Sequence, residues 1–256
     1  MIETVDQTGR IIISEKYPSR IISLVPSITE LLYDFGLHQN IVGRTHFCIH
    51  PSDKVKDAKR IGGTKTVNLL KVKELMPDLI IANKEENVKE QVEELAKYFP
   101  TYISDINTVA EAYTMMLDLG TLTNKREKAT SLVNSIKRNF HKIDTLHNET
   151  VLYLIWKNPY MSIGCDTFIN DMLSKVGYQN VLLYHTRYPK LSIQDIVELN
   201  PENVFLSSEP FPFTDIHISE LQQILPNSKI SLVDGEMFSW YGSRMHHFLN
   251  YINLKF

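Results

Sequence analysis

The sequence predicts an α/β protein of two lobes, each built on a mainly parallel sheet, with a long rigid helix joining them. Three observations carry that expectation. Short apolar runs alternate with helical patterns, the grammar of the first half recurs in the second, and a helical stretch without strand signals lies between them. The expected domains are an N-terminal lobe over 1–107, connecting helices over 108–148 and a C-terminal lobe over 149–256. At 256 residues the chain exceeds one typical domain and falls short of two large ones.

Residues 4–14 read as a hairpin, with Thr4-Val5-Asp6 and Ile11-Ile12-Ile13 flanking Gln7-Thr8-Gly9. Arg20 to Val25 reads as a buried strand that Pro26 ends. Ser27 and Glu30 have capping-box spacing for a helix that buries Leu31, Leu32 and Phe35 and stops at Gly36. Leu69–Leu75 follows as a short helix, Met76-Pro77-Asp78 as a turn and Leu79–Ala82 as a strand. Thr108 opens a helix with Val109, Ala112, Tyr113, Met116 and Leu117 on one face. A second helix carries Ala129, Leu132, Val133, Ile136, Phe140 and Ile143. Running from about 124 to 146, it would be on the order of 30 Å long, a stiff strut.

In the second half, Val151–Trp156 is a strand, Thr167–Val176 a helix and Gly177 its stop. Gly177-Tyr178-Gln179-Asn180-Val181 repeats the pattern of Gly36 to Ile41. Ile196 to Glu202 likewise repeats Val72 to Asp78, so the lobes read as duplicated.

The composition, 43% hydrophobic and 22% charged with 10 Gly and 11 Pro, excludes disorder, collagen and a disulfide scaffold. A net charge of −3 with mixed signs makes nucleic acid a poor partner. Apolar runs stop near six residues, against the roughly 20 that a spanning helix needs, so no membrane insertion is expected. The opening Met1-Ile2-Glu3-Thr4 lacks a signal-peptide pattern, which leaves a cytoplasmic protein or a mature exported chain open. No dinucleotide, phosphate-loop, nucleophile-elbow or zincin motif is present, and Gly62 to Thr66 reads as a plain turn. No enzyme is expected and no intrinsic cofactor.

Candidate ligand-facing residues fall in four places. In Thr45 to Pro51, an extended chain would put His46, Cys48 and His50 on one side, a set able to hold a borderline metal or supply an axial ligand, and Phe47 and Ile49 on the other. Trp156 ends a strand, where open α/β sheets place ligands. Arg187 and Tyr188 lie in a donor-rich loop. Trp240, Tyr241 and Arg244 lie in another, with Trp240 and Tyr241 expected to be exposed at a cleft and to suit a bulky planar ligand. Arg44, Arg187 and Arg244 can pair with anionic groups of a ligand or serve structural ion pairs. The competing reading is a cytosolic metal-binding protein, or a protein or enzyme handling a tetrapyrrole, that uses His46, Cys48 and His50.

Leu24 to Glu30, Val42-Gly43-Arg44-Thr45, Met76 to Ala82, the central strut and Ser239-Trp240-Tyr241 together resemble the class III, helical-backbone substrate-binding proteins of ABC importers, over about residues 18–256. The likeness is greatest to the cobalamin-binding members. The resemblance implies a monomeric receptor, periplasmic or on the cell surface. It would bind a metal chelate between its lobes (a corrinoid first, then haem or a ferric siderophore) and deliver it to an ABC permease. It places sandwiching aromatics on Phe47, Tyr188 and Trp240 and puts Asn83 where the family has a tryptophan; His50, Trp156, Arg187, Tyr241 and Arg244 join the expected ligand-binding set from the reading of the residues above. It assigns permease docking to Lys89 or Glu90 in one lobe and to Glu209 in the other.

Overall fold

The computed structural model describes residues 2–143 and 148–256. The chain divides into two compact units. The first takes the residues up to Asp105, then Ala110–Lys137 and Tyr241–His246; the second takes Ile106–Val109, Arg138–Trp240 and His247–Phe256. Most of the expected connecting segment is thus counted with the first unit, as is a short piece near the C-terminus.

Unit 1 opens with the hairpin β1 (Ile2–Val5) and β2 (Ile11–Ser14). Asp6 builds its turn: Oδ1 accepts from the Thr8 and Arg10 amides, while Oδ2 accepts from the Ile103 amide and pins the hairpin to the main sheet. Then come β3 (Ile21–Ser23), α1 (Pro26–Asp34), β4 (Ile41–Arg44), β5 (Lys59–Arg60), α2 (Leu69–Leu75), β6 (Leu79–Asn83), α3 (Lys89–Ala96) and β7 (Thr101–Ser104). The sheet order is β5-β4-β3-β6-β7, and every pair in it is parallel. Parallel strands covered on both faces must be apolar throughout, as Leu79-Ile80-Ile81-Ala82 is.

The expected capping box at Ser27 does not form. Pro26 occupies the first turn after Val25, so α1 starts before Ser27, which lies buried inside it. Gly36 ends the helix at φ +79°, as expected. Helices α4 (Val109–Leu122) and α5 (Arg126–Phe140) follow. They approach closely at Gly120, where a Cβ would lie 2.5 Å from that of Ala129. Helix α5 has 15 residues, about 22 Å, so it is shorter than the expected strut. The chain leaves the helix in a turn at Asn139 to Ile143, and positions 144–146 of the expected helix fall outside the described residues.

Unit 2 contains β8 (Thr150–Trp156), β9 (Tyr160–Ser162), α6 (Phe168–Lys175), β10 (Gln179–Asn180), β11 (Lys190–Leu191), α7 (Ile193–Leu199), β12 (Asn203–Ser207), α8 (Asp215–Ile224), β13 (Lys229–Val233), α9 (Gly235–Ser239) and α10 (Phe248–Lys255). Its sheet runs β11-β9-β8-β12-β13, with β10 also paired to β8. Pairs β8–β12 and β12–β13 are parallel, whereas β9 and β11 are antiparallel additions. Alternation sorts the core into two faces. Leu152, Leu154, Val204 and Leu206 share one cluster. On the other face Tyr153 pairs with Phe205, and Phe238 packs on both rings. Burying a side chain such as Phe205 contributes about 1.5–3 kcal/mol. Among the described residues no helix is long and apolar enough to cross a membrane.

Candidate functional site

Parallel strands bring the loops after β4, β5 and β6 to one edge of the first sheet. Residues 45–50 turn there instead of running extended: the Cys48 amide donates to the Thr45 carbonyl, and the period-two reading fails. Cys48 points inward, fully buried, with Thr29 Oγ1 at 3.0 Å and Thr45 Oγ1 at 3.1 Å from its sulfur. Burial pushes the thiol's pKa up, against those hydrogen bonds, so it keeps its proton. His46 faces solvent and His50 is half-buried. The expected metal set His46, Cys48 and His50 is therefore not assembled, and among the described residues no group of three or more His, Cys, Asp and Glu is placed to hold a metal.

Both apolar neighbours of the buried thiol are exposed, as the alternation placed them, although the chain turns. Phe47 is 60% exposed and Ile49 50% exposed. Gly63 lies beside the Phe47 ring, in a turn closed by the Gly63 amide on the Thr66 carbonyl, as expected of Gly62 to Thr66. Asn83 is buried and shapes the next loop. Its Oδ1 accepts from the Glu85 and Glu86 amides, each at 2.9 Å, and its Nδ2 donates to Ser104. Asn87 ties this loop to the Thr64 carbonyl.

Two of the candidate arginines in this unit have structural work. The buried Arg44 guanidinium donates to the carbonyls of Val55 and Thr45. Arg244 forms a two-pronged pair with Glu30, Nε–Oε2 at 3.0 Å and Nη2–Oε1 at 2.8 Å.

In unit 2, Trp156 is 40% exposed at the end of β8 and sits edge-on to Phe211. The loops at 163–166 and 184–188 are joined backbone to backbone: the Gly164 amide donates to the Arg187 carbonyl and the Cys165 amide to that of His185. A Cβ at Gly164 would lie 2.5 Å from the His185 carbonyl oxygen. Arg187 adopts φ +57°, stays exposed, and places its guanidinium 5.6 Å from the Tyr188 ring centre and within reach of Asn107. Sequence reading missed Tyr184, 99% exposed on the same loop. It closes the run Val181-Leu182-Leu183-Tyr184, whose apolar character suggests core rather than surface.

Trp240 and Tyr241 are not the exposed pair expected. They are 8% and 6% accessible, and each polar tip has a carboxylate partner, which makes burial affordable for amphipathic rings. Trp240, the last residue of its stretch of unit 2, donates Nε1–H to Glu209 Oε1 at 3.0 Å. Tyr241, the first of its stretch of unit 1, donates its hydroxyl to Glu86 at 3.1 Å. Burial, then Glu86, raises the Tyr241 pKa well above that of a free phenol. Glu209 also accepts from Ser239, and burial raises its own pKa, so the residue expected to dock a permease is engaged in hydrogen bonds within unit 2. Glu90 is exposed in the first turn of α3, and its neighbour Lys89 pairs with Glu93.

Comparisons with known proteins agree with this architecture. A family model described as periplasmic binding protein matches residues 21–225. An ABC transporter substrate-binding lipoprotein of Bacillus subtilis is 28% identical over 78% of this chain and 67% of its own. A vitamin B12-binding protein of Vibrio campbellii is 23% identical over 73% of this chain and 70% of its own. Among solved structures, a possible iron-binding, periplasmic solute-binding protein from Staphylococcus epidermidis superposes with a TM-score of 0.78 at 25% identity, over 94% of this chain and 98% of that one. A periplasmic heme-binding protein from Roseiflexus gives 0.80 at 17% identity, over 93% and 97%, a likeness of fold.

Proposed function

Because the chain belongs to the periplasmic binding protein family, we propose that it is the substrate-binding component of an ABC importer and that its cargo is a corrinoid-type metal chelate. The observation that carries this reading is Phe47, a ring 60% exposed on a loop whose next residue is a fully buried thiol. An exposed aromatic on a fixed loop offers a ligand rigid contact area at little entropic cost. His46 and His50 flank Phe47 and supply imidazoles suited to a chelated metal's open axial position. On the second unit, Trp156, Tyr188 and Arg187 supply rings and a guanidinium for amide or carboxylate groups at the rim of a chelate. The relatives described as vitamin B12-binding proteins support the corrinoid over other chelates. Delivery to a permease would take place outside the cytoplasmic membrane, with Glu90 as a carboxylate available for docking.

The test is a titration of purified protein with cyanocobalamin, haemin and a ferric catecholate, followed by quenching of tryptophan emission. Cyanocobalamin is expected to bind in a one-to-one ratio, and Phe47→Ala and Tyr188→Ala should each weaken it by about 1 kcal/mol or more. Tighter binding of haemin or the siderophore would overturn the corrinoid assignment. Binding of none of the three would overturn the receptor reading.

A further inference from the structure

Three acids surround helix α9 in unit 2. Asp234 caps its start through the Glu236 amide, Glu236 lies in its first turn, and Glu209 reaches in from the loop after β12. A single oxygen of Glu209 takes two hydrogen bonds, from Ser239 Oγ at 2.8 Å and Trp240 Nε1 at 3.0 Å. The packing leaves no slack: a Cβ at Gly235 would lie 2.6 Å from Glu209 Cγ. The charged groups that act on Glu209 are Glu236 and Asp234, both acids, and Tyr153 on β8 faces it as an uncharged phenol. On the far side, the Asp234 amide donates to Tyr251 of α10, also a phenol. We propose that Glu209 is the positioning residue of Trp240: its carboxylate holds the indole and Ser239 where the chain passes from unit 2 to unit 1, and its protonation loosens that hold.

Two charge-assisted bonds become neutral ones when the carboxylate takes a proton, and neutral bonds are roughly half as strong. Burial and the two neighbouring acids favour the protonated form, so the change falls above the range of an ordinary glutamate.

The sequence holds two tryptophans, so Trp156→Phe leaves Trp240 as the sole tryptophan, read by selective excitation, and no ligand is needed. In that background, emission at falling pH should change in one step with a midpoint above that of free glutamate. Adding Glu209→Gln, which keeps the accepting oxygen but carries no charge, should give the low-pH spectrum at every pH and abolish the step. Adding Glu236→Gln instead removes a like charge and should move the midpoint down. A step that survives Glu209→Gln, or that Glu236→Gln leaves in place, overturns the assignment. Failure to bind any chelate would sink the receptor reading and leave these spectra as they are.

Discussion

The two units share a spine and differ at an edge. In each, a seven-residue helix (α2 or α7) ends in a left-handed residue before a proline, Met76 and Asn200 both at φ 40°, and leads into a fully buried strand beside the central one. What differs lies on the other side of the central strand. Unit 1 continues with parallel β4 and β5; unit 2 turns back with antiparallel β9 and β11. Most residues proposed to meet a ligand come from these divergent edges: Phe47 follows β4, and Arg187 and Tyr188 precede β11, while Trp156 ends the central strand β8. Their loops are also fixed by different means. A buried thiol and two hydroxyls anchor the first, and backbone hydrogen bonds zip the second. The two units thus share a spine and differ at the edge from which most of the proposed ligand contacts come.

The contrast can be tested in free energies. The largest effect should separate two ion pairs. Glu30 and Arg244 in unit 1 are 19% and 12% exposed, so Glu30→Ala should cost about 3 kcal/mol in denaturant unfolding by removing both hydrogen bonds of the pair from a largely buried guanidinium. In unit 2 the partner of Lys157 is 47% exposed, and Glu220→Ala should cost about 1 kcal/mol or less. A smaller difference should separate the loops. Gly164→Ala drives a methyl against backbone atoms of His185 and Thr186 and should cost about 2 kcal/mol, whereas Gly63→Ala meets the Thr66 side chain first and should cost about 1 kcal/mol or less. Equal costs would show that both loops are held alike. Smallest of all, Met76→Asn should stabilise by about 0.5 kcal/mol and Asn200→Ala destabilise by about 1 kcal/mol, because asparagine tolerates the left-handed conformation better.

The spine was legible in the sequence because its signals are local. A short helix, a turn at Pro77 or Pro201 and an apolar strand need no knowledge of distant contacts. The edge was not legible, because there the outcome depends on partners far along the chain. Cys48 turns inward to meet Thr29, and no pattern within Thr45 to Pro51 announces that contact. Asn83 organises its loop by accepting from Glu85 and Glu86, a capacity its residue type allows but its position alone does not reveal. Trp240 and Tyr241 misled for the same reason: aromatic rings among small polar residues read as exposed, and their carboxylate partners lie 31 and 155 positions away.

The return of Tyr241–His246 to unit 1 bears on the order in which the chain can assemble as it leaves the ribosome. A nascent chain that has emerged only through α5 contains Glu30 and Glu86 but neither Arg244 nor Tyr241, so the N-terminal unit waits on residues 241–246 to complete its own set of bonds. A fragment cut at the apparent midpoint would carry that deficit permanently.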